Sequence, residues 1–243
     1  MYKLISSLLM LLVLQSCSTL TLKEEFENKS DSEMYVVANK YLQDGQYHSA
    51  AEFFEILNNK SPFTKNSERN RVLGIYSYYM DRNYSQAYAE SNYFLQLYPR
   101  SEHVDWVMFM QAYSSYKEYR NWVQEKIGSD RARNDLSKLE DAYRKAQTLI
   151  DLYPKSKYVA AASLLQQKVN SIKARENMDV ASFYFDKGAY IAAIKRSEFV
   201  LSEYSSSCLL PDSLDLLQAS YVKLGLESWA KDIAKLKKIN GFK

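Results

Sequence analysis

Few side chains in this sequence could perform chemistry, and they lie far apart along the chain. There are two cysteines, Cys17 and Cys208, and two histidines, His48 and His103. Two histidines and one further thiol cannot form a zinc site without several carboxylates. No Gly-rich phosphate loop, G-x-S-x-G turn or H-E-x-x-H pair is present. We interpret both histidines as surface residues and Cys208 as a half-buried structural thiol. The sequence therefore predicts that the protein is not an enzyme and uses no metal or cofactor.

Cys17 is the one residue in a specific chemical context. Lys3 precedes an apolar stretch, 4–14, which has the length of a signal-peptide core and is too short to span a bilayer. The segment Leu14-Gln15-Ser16-Cys17 resembles a bacterial lipobox, in which the cysteine becomes lipidated. Two or three acyl chains would hold a protein stably on a membrane. The prediction is a signal peptide over 1–16 and a lipidated tether over 17–32; the alternative is a secretory signal with a cysteine nearby by chance.

The charge balance and the rest of the sequence exclude several classes of function. Without residues 1–16 the chain loses Lys3 from its 32 basic residues, which leaves 31 basic against 29 acidic side chains. A nearly balanced charge spread over the chain gives no support to nucleic-acid binding. No later segment is apolar enough to span a membrane. If Cys17 carries lipid, Cys208 has no partner and the chain forms no intrachain disulfide.

The elements that must position any binding residues are repeated helix hairpins. Four segments share a tyrosine near a helix end, a tight turn, and a small alanine nine residues after the tyrosine. A fifth copy is weaker. Glycine at the turn tolerates the left-handed backbone that ends a helix, and proline closes a unit because it cannot continue one. The alanines that allow close helix approach are Ala50, Ala87, Ala142, Ala193 and Ala230.

This pattern is similar to the tetratricopeptide repeat, in five copies. It predicts an all-α fold, a right-handed superhelical solenoid of about five helix hairpins, over residues 33–243. The expected repeats are 33–63, 66–99, 101–154, 157–205 and 210–240. The segment 120–131 lacks sustained helical periodicity and is predicted to be an inserted loop. No Gly or Pro occurs between Lys157 and Phe185, which predicts one unusually long helix.

Aromatic residues are abundant, with 21 Tyr, 10 Phe and 3 Trp. Many occupy core positions of the repeat. Others fall on the first helix of each hairpin, the face that stacked repeats present as a concave surface. Aromatic and amide side chains on such a surface suit an extended peptide. The register places six candidate peptide contacts on or near this surface: Tyr35, Asn39, Val72, Tyr76, Trp106 and Met110. For each of them a role in the core or rim is an equally good interpretation.

Taken in order, these features resemble the BamD (ComL) family, tetratricopeptide-repeat lipoproteins of the outer-membrane β-barrel assembly machinery. The resemblance covers the chain from Cys17 to near Ile239. Ser18, which stands where inner-membrane lipoproteins often have Asp, agrees with an outer-membrane address. The local stretches that carry the likeness include Glu33-Met34-Tyr35, Leu42-Gln43-Asp44-Gly45, Ser61-Pro62-Phe63, Asp105-Trp106-Val107-Met108-Phe109-Met110, Ser129-Asp130-Arg131, Val180-Ala181-Ser182-Phe183-Tyr184 and Lys195-Arg196-Ser197-Glu198.

The resemblance implies a non-catalytic scaffold on the periplasmic face of the outer membrane, attached through lipid on Cys17. It implies that the C-terminal repeats dock a BamA-like barrel protein, with Ser129, Asp130, Arg131 and Arg196 as candidate contacts. The N-terminal repeats would help to recognise unfolded outer-membrane proteins through a C-terminal signal that ends in an aromatic residue, and Tyr35, Asn39, Tyr76 and Trp106 become candidate contacts. The alternative is an envelope tetratricopeptide lipoprotein that tethers cell-wall or division enzymes.

Overall fold

The computed structural model describes residues 29–125, 136–205 and 208–242, with the backbone alone for 121–125. These residues form two compact units, one ending at Pro99 and the other beginning at Arg100. All regular elements in the described ranges are helices, and helices that follow one another in the chain pack together within each unit. The prediction of an all-α chain of tetratricopeptide-like hairpins is confirmed.

The first unit contains two helix hairpins. Its four helices are α1 (Asp31–Gln43), α2 (Tyr47–Lys60), α3 (Ser67–Met80) and α4 (Tyr84–Leu97). The chain enters α1 through a capping box, in which the Ser30 backbone N–H donates to Glu33 Oε2 at 2.8 Å and the Glu33 N–H donates to Ser30 Oγ at 3.4 Å. These bonds satisfy donors that a helix start leaves without partners. The first described helix therefore begins at a defined residue, Asp31, and the last two residues of the segment predicted to be a tether, 17–32, are helical.

The second unit contains three hairpins. Its six helices are α5 (Val104–Glu125), α6 (Ser137–Leu152), α7 (Val159–Asp186), α8 (Tyr190–Glu203), α9 (Leu210–Lys223) and α10 (Glu227–Ile239). Helix α7 has 28 residues, so the long helix predicted from the absence of Gly and Pro is confirmed. Pro211 lies in the first turn of α9, where its missing N–H breaks no helical hydrogen bond.

Four of the hairpin turns have one geometry. The carbonyl of the repeat tyrosine at the end of the first helix accepts a backbone N–H from five residues later, at 2.9–3.0 Å. This bond requires a residue with positive φ, which is Gly45, Gly188 and Gly225 in three turns and Arg82 (φ 63°) in the fourth. The tyrosine carbonyls belong to Tyr41, Tyr78, Tyr184 and Tyr221.

The core follows the repeat pattern. The five alanines predicted to allow close helix approach are buried, four of them completely. Phe54 and Phe94 are also fully buried, and Tyr78 and Tyr221 nearly so. Because side chains with no accessible surface contribute most to stability, the residues that define the repeat are those that hold each hairpin together.

Two sequence-based interpretations are wrong. The weak periodicity predicts a loop over 120–131, but α5 continues to Glu125 and so includes the first six of these residues. These six contain no Gly or Pro, and extending an existing helix costs much less than nucleating one; the rest of the predicted loop lies outside the described residues. Cys208, predicted to be half-buried, is exposed, because it lies in the turn before α9.

The turn geometry gives a prediction with opposite signs at two positions of the first unit. Gly45→Ala should lower the free energy of unfolding by about 1–2 kcal/mol, since alanine resists the positive φ. No atom lies within 4 Å of a Cβ placed there, so the cost is conformational. Arg82→Gly should raise the free energy by about 0.5–1 kcal/mol, after subtraction of the extra chain entropy of glycine. Urea denaturation measures both, and destabilisation by both substitutions would contradict the prediction.

Candidate binding surfaces

Four of the six predicted peptide contacts lie on two helices of the first unit. Tyr35 and Asn39 are one turn apart on α1, and Val72 and Tyr76 are one turn apart on α3, so each pair shares a helix face. Tyr35, Asn39 and Val72 are partly buried, and Tyr76 is exposed. We call these residues, together with Arg69, the α1–α3 surface. It combines two aromatic rings, an amide and a cation.

Arg69 is the residue on this surface that the sequence analysis missed. Its guanidinium carbon lies 5.0 Å from the centre of the Tyr35 ring, a cation–π contact between α3 and α1. The side chain is exposed, and no carboxylate within the described ranges forms an ion pair with it. Its spacing was a usable signal, because Arg69, Val72 and Tyr76 follow one another at i, i+3 and i+7 and therefore share one helix face.

The Tyr35 ring packs on a buried aromatic residue, and its hydroxyl group makes no hydrogen bond within the described residues. Its ring meets the buried Phe54 ring edge-on, at 6.3 Å between centroids. Its hydroxyl oxygen is buried and has no hydrogen-bond partner among the described residues. A buried hydroxyl without a partner costs about 1–3 kcal/mol.

A buried ion pair holds α3 against α4 beside this surface. Arg71 is 5% exposed, its Nη1 lies 3.6 Å from Glu90 Oε2, and its guanidinium covers the Tyr93 ring at 4.6 Å. Burial raises the pKa of Glu90, and the Arg71 charge opposes that shift. Removing one partner of such a pair would leave the other charge buried and uncompensated. The pair therefore ties α4 to α3, the helix that carries Val72 and Tyr76.

Polar side chains also tie α2 to α3. The Tyr78 hydroxyl donates to Glu55 on α2, and burial, followed by this carboxylate, raises the pKa of Tyr78. His48 Nδ1 lies 3.0 Å from Asp81 Oδ2, and this hydrogen bond raises the pKa of His48. His48 is largely exposed, as predicted, and it links the start of α2 to the end of α3.

The other two predicted peptide contacts belong to the second unit. Trp106 is partly buried in the first turn of α5. The neighbouring Asp105 accepts a hydrogen bond from Ser156 Oγ at 2.6 Å, which joins the start of α5 to the turn before α7. Met110 is only 5% exposed. A bound peptide could therefore touch little of Met110, which belongs to the core of this unit.

Arg196, the predicted partner contact, is exposed on α8. Its Nη1 donates to Asn177 Oδ1 on α7 at 3.1 Å, so its guanidinium is oriented while remaining accessible. The other predicted partner contacts, Ser129, Asp130 and Arg131, lie outside the described residues, as does Cys17. Of the four predicted partner contacts, Arg196 is therefore the one whose side-chain geometry is defined.

The same unit has an exposed apolar patch on its last two hairpins. Ile191, at the start of α8, is 63% exposed, and Trp229, at the start of α10, is 59% exposed. A shallow depression, lined by Ile191, Lys195, Leu224 and the Gly188 turn, lies between the α7–α8 turn and the end of α9. Apolar groups gathered on a surface in this way often mark protein–protein contacts. We call Ile191, Val222, Leu224, Leu226 and Trp229 the C-terminal patch.

The described residues show no arrangement suited to metal binding or membrane spanning. No three His, Cys, Asp or Glu side chains in 29–125, 136–205 and 208–242 are grouped so that they could hold a metal ion. In the same ranges no helix is both long and apolar enough to cross a bilayer. What these residues do offer is two surfaces with the composition of protein-binding sites.

Comparison with known proteins identifies the family. Residues 27–236 match the model of a family named YfiO and described as an outer membrane lipoprotein. The chain belongs to the YfiO family of outer membrane lipoproteins. Both described units fall almost entirely within the matched range, so the match includes the residues of the α1–α3 surface and of the C-terminal patch.

Curated relatives of this family carry one name. The chain is 28% identical over 239 residues to the outer membrane protein assembly factor BamD of Vibrio cholerae, covering 98% of each chain. It is 27% identical over 217 residues to the protein of the same name in Pasteurella multocida (89% of this chain, 84% of the relative). A third, from Neisseria meningitidis, is 26% identical over 233 residues (94% and 87%). The resemblance to the BamD family is confirmed, as is the prediction that the chain is not an enzyme.

Proposed function

We propose that this chain is an assembly scaffold for outer-membrane β-barrel proteins, attached by lipid on Cys17 to the periplasmic face of the outer membrane. The observation that carries the proposal is the match, over nearly the whole chain, to relatives named outer membrane protein assembly factors. The lipobox at Cys17 supplies the anchor, and the helix hairpins supply surfaces for two kinds of partner.

The second unit docks a BamA-like barrel protein. Arg196 is the contact with a defined geometry, since Asn177 orients its guanidinium toward an incoming acceptor. The C-terminal patch supplies apolar area on the same unit. Interfaces draw much of their affinity from a few aromatic and arginine anchors surrounded by weaker contacts. Arg196 and Trp229 have the residue types of such anchors. The loop containing Ser129, Asp130 and Arg131 contributes further contacts in this proposal.

The first unit recognises unfolded outer-membrane proteins at their C-terminus. A peptide that ends in an aromatic residue presents a ring and a carboxylate. The α1–α3 surface offers rings at Tyr35 and Tyr76, an amide at Asn39, and an Arg69 cation that has no carboxylate partner in the described ranges. Charge-assisted hydrogen bonds to a carboxylate are about twice as strong as neutral ones. Arg69 therefore binds the terminal carboxylate in this proposal.

Depletion of the protein tests the proposed function. Depletion should lower the levels of many outer-membrane barrel proteins together, and purification of the lipidated chain from detergent-solubilised membranes should recover a large barrel protein. Unchanged barrel levels would reject the assembly role. Recovery of cell-wall hydrolases without a barrel protein would instead support a tether for cell-wall or division enzymes.

Arg69→Ala should weaken the binding of a peptide that ends in phenylalanine with a free carboxylate. A hydrogen bond to a charged group is worth about 1.5–3 kcal/mol, which corresponds to a dissociation constant at least about tenfold higher. Fluorescence anisotropy with a labelled peptide measures the change. The matched control variant is Lys65→Ala, which removes an exposed cation from the loop before α3 and should leave affinity unchanged.

The same peptide with a C-terminal amide separates the carboxylate from all other contacts. It should bind the unaltered protein more weakly than the free acid does. Arg69→Ala should make little further difference to the amide, because the interaction that it removes is already absent. Equal losses for acid and amide would show that Arg69 supports the fold of the surface and does not contact the carboxylate.

A further inference from the structure

The loop between α2 and α3, residues 61–66, presents an aromatic side chain to solvent. Phe63 is 84% exposed, the largest exposed fraction among the large apolar side chains of the described residues. Pro62 precedes it and Thr64 follows it, and the exposed fraction shows that neither side chain covers the ring. Isolated exposed apolar side chains are common and need no explanation. What distinguishes Phe63 is the structure of its loop and its position in the unit.

Hydrogen bonds hold the loop in one conformation. Ser67, which is fully buried, donates from Oγ to the Ser61 carbonyl at 2.8 Å and accepts the Thr64 backbone N–H at 2.8 Å. The Tyr98 hydroxyl donates to the Pro62 carbonyl at 3.4 Å, which joins the loop to the end of α4. Phe63 therefore projects into solvent from a loop whose backbone is held by hydrogen bonds. These hydrogen bonds order the loop in the free protein, so a partner that binds Phe63 does not have to offset the entropy lost in ordering it.

The loop lies at the edge of the unit where the tether enters. The Lys60 ammonium, one residue before the loop, donates to the Lys29 carbonyl at 2.7 Å, directly before α1 begins. Lys29 follows Cys17 by twelve positions in the sequence, and a fully extended chain of that length reaches about 40 Å. Lipid on Cys17 would therefore keep this edge of the unit within about 40 Å of the membrane.

The charge of the loop matches a membrane surface. Lys60 and Lys65 flank Phe63, and the segment 60–66 contains no acidic residue. Lysines beside an aromatic side chain are typical of protein segments that enter the headgroup layer, where each basic residue contributes about a factor of five in binding to anionic lipid. Apolar and electrostatic attraction therefore favour the same occupant.

We propose that the 61–66 loop docks on the outer membrane itself, with the Phe63 ring inserted into the headgroup layer and Lys65 against anionic headgroups. This inference rests on the proposed lipid anchor at Cys17. It assigns the loop a second membrane contact, which limits the rotation of the first unit about its tether. The α1–α3 surface begins on the same edge, at Tyr35 and Arg69, so docking would hold that surface at a fixed height above the membrane.

A fluorescent probe at position 63 tests the proposal on the full lipidated chain in liposomes. Cys208→Ser removes the exposed thiol, and Phe63→Cys carries an NBD probe. The liposomes contain phosphatidylethanolamine, phosphatidylglycerol and a lipid with a nitroxide quencher near its headgroup. The matched control is Gln46→Cys, an exposed position in the α1–α2 turn at the opposite edge of the same unit. The expected result is strong quenching at position 63 and little at position 46.

The outcomes separate the loop from the anchor. Protein that floats with the liposomes without quenching at position 63 would overturn the docking proposal and leave the anchor intact. Protein that does not float would reject the anchor and, with it, the docking proposal. Equal quenching at positions 46 and 63 would overturn a specific role for this loop. Lys65→Gln should lower the ratio of quenched to unquenched probe about fivefold, and an unchanged ratio would reject the electrostatic contact.

Discussion

Replacing Cys17 by Ala is expected to abolish the protein's own attachment to lipid, so that docking on a barrel protein is its only remaining link to the membrane. Each buried CH₂ of an acyl chain contributes about 0.8 kcal/mol, and two or three chains make attachment stable. No described helix could replace that anchor by spanning the bilayer, and the headgroup contact proposed for Phe63 is weak compared with acyl chains. Without lipid, a chain that is not docked on a barrel protein should therefore appear in the soluble periplasmic fraction.

The leader must be changed together with the cysteine, because an uncleaved apolar segment could itself hold the variant in a membrane. Residues 1–16 are therefore replaced by a leader that is cleaved without lipidation, in combination with Cys17→Ala. Cys208→Ala with the native leader is the matched control, since it removes the other, exposed thiol and should remain in the outer-membrane fraction. A Cys17→Ala chain that is produced in excess of any barrel partner and still sediments with membranes at high salt without detergent would contradict a lipid anchor.

Local sequence patterns carried the fold prediction because the repeat is defined by local requirements. A glycine that can adopt positive φ, or Arg82 in its place, ends the first helix of four hairpins. An alanine with almost no accessible surface lies where the two helices meet. The start of the predicted insertion is helical, and reliance on local patterns missed this. The segment 121–125 has weak periodicity but no residue that breaks a helix.

The binding surfaces could be predicted only in part, because they depend on contacts between helices. Tyr35 and Tyr76 follow from the repeat register, but the position of Arg69 over the Tyr35 ring depends on how α3 is rotated against α1. That rotation depends on all the contacts of α3, among them the Arg71–Glu90 pair with α4, and a charged pair of this kind has no periodic signature. The burial of Met110 could not be predicted from the sequence either, since a methionine suits a core and a groove equally well.

Phe54→Ala is expected to destabilise the first unit by about 3–5 kcal/mol, the usual cost of removing a fully buried phenylalanine. Phe54 is 0% exposed and packs against Met34, Ala38 and Leu57. A Cβ placed at Gly74 would lie 3.4 Å from the Phe54 Cβ, which shows how closely α3 approaches it. Amide hydrogen exchange in α1, α2 and α3 measures the loss, because it reports on this unit separately from the second.

Phe63→Ala is the matched control, with the same substitution in the same unit at an exposed site. It should change the free energy of unfolding by less than about 0.5 kcal/mol, and a loss below about 1 kcal/mol for Phe54→Ala would contradict the packing described. Phe54→Ala should also weaken peptide binding, since Phe54 supports the Tyr35 ring, whereas Phe63→Ala should leave it intact. If Phe63 adds little to stability or peptide binding, its exposure on a hydrogen-bonded loop needs another explanation. The lysines on either side of Phe63 favour membrane docking as that explanation.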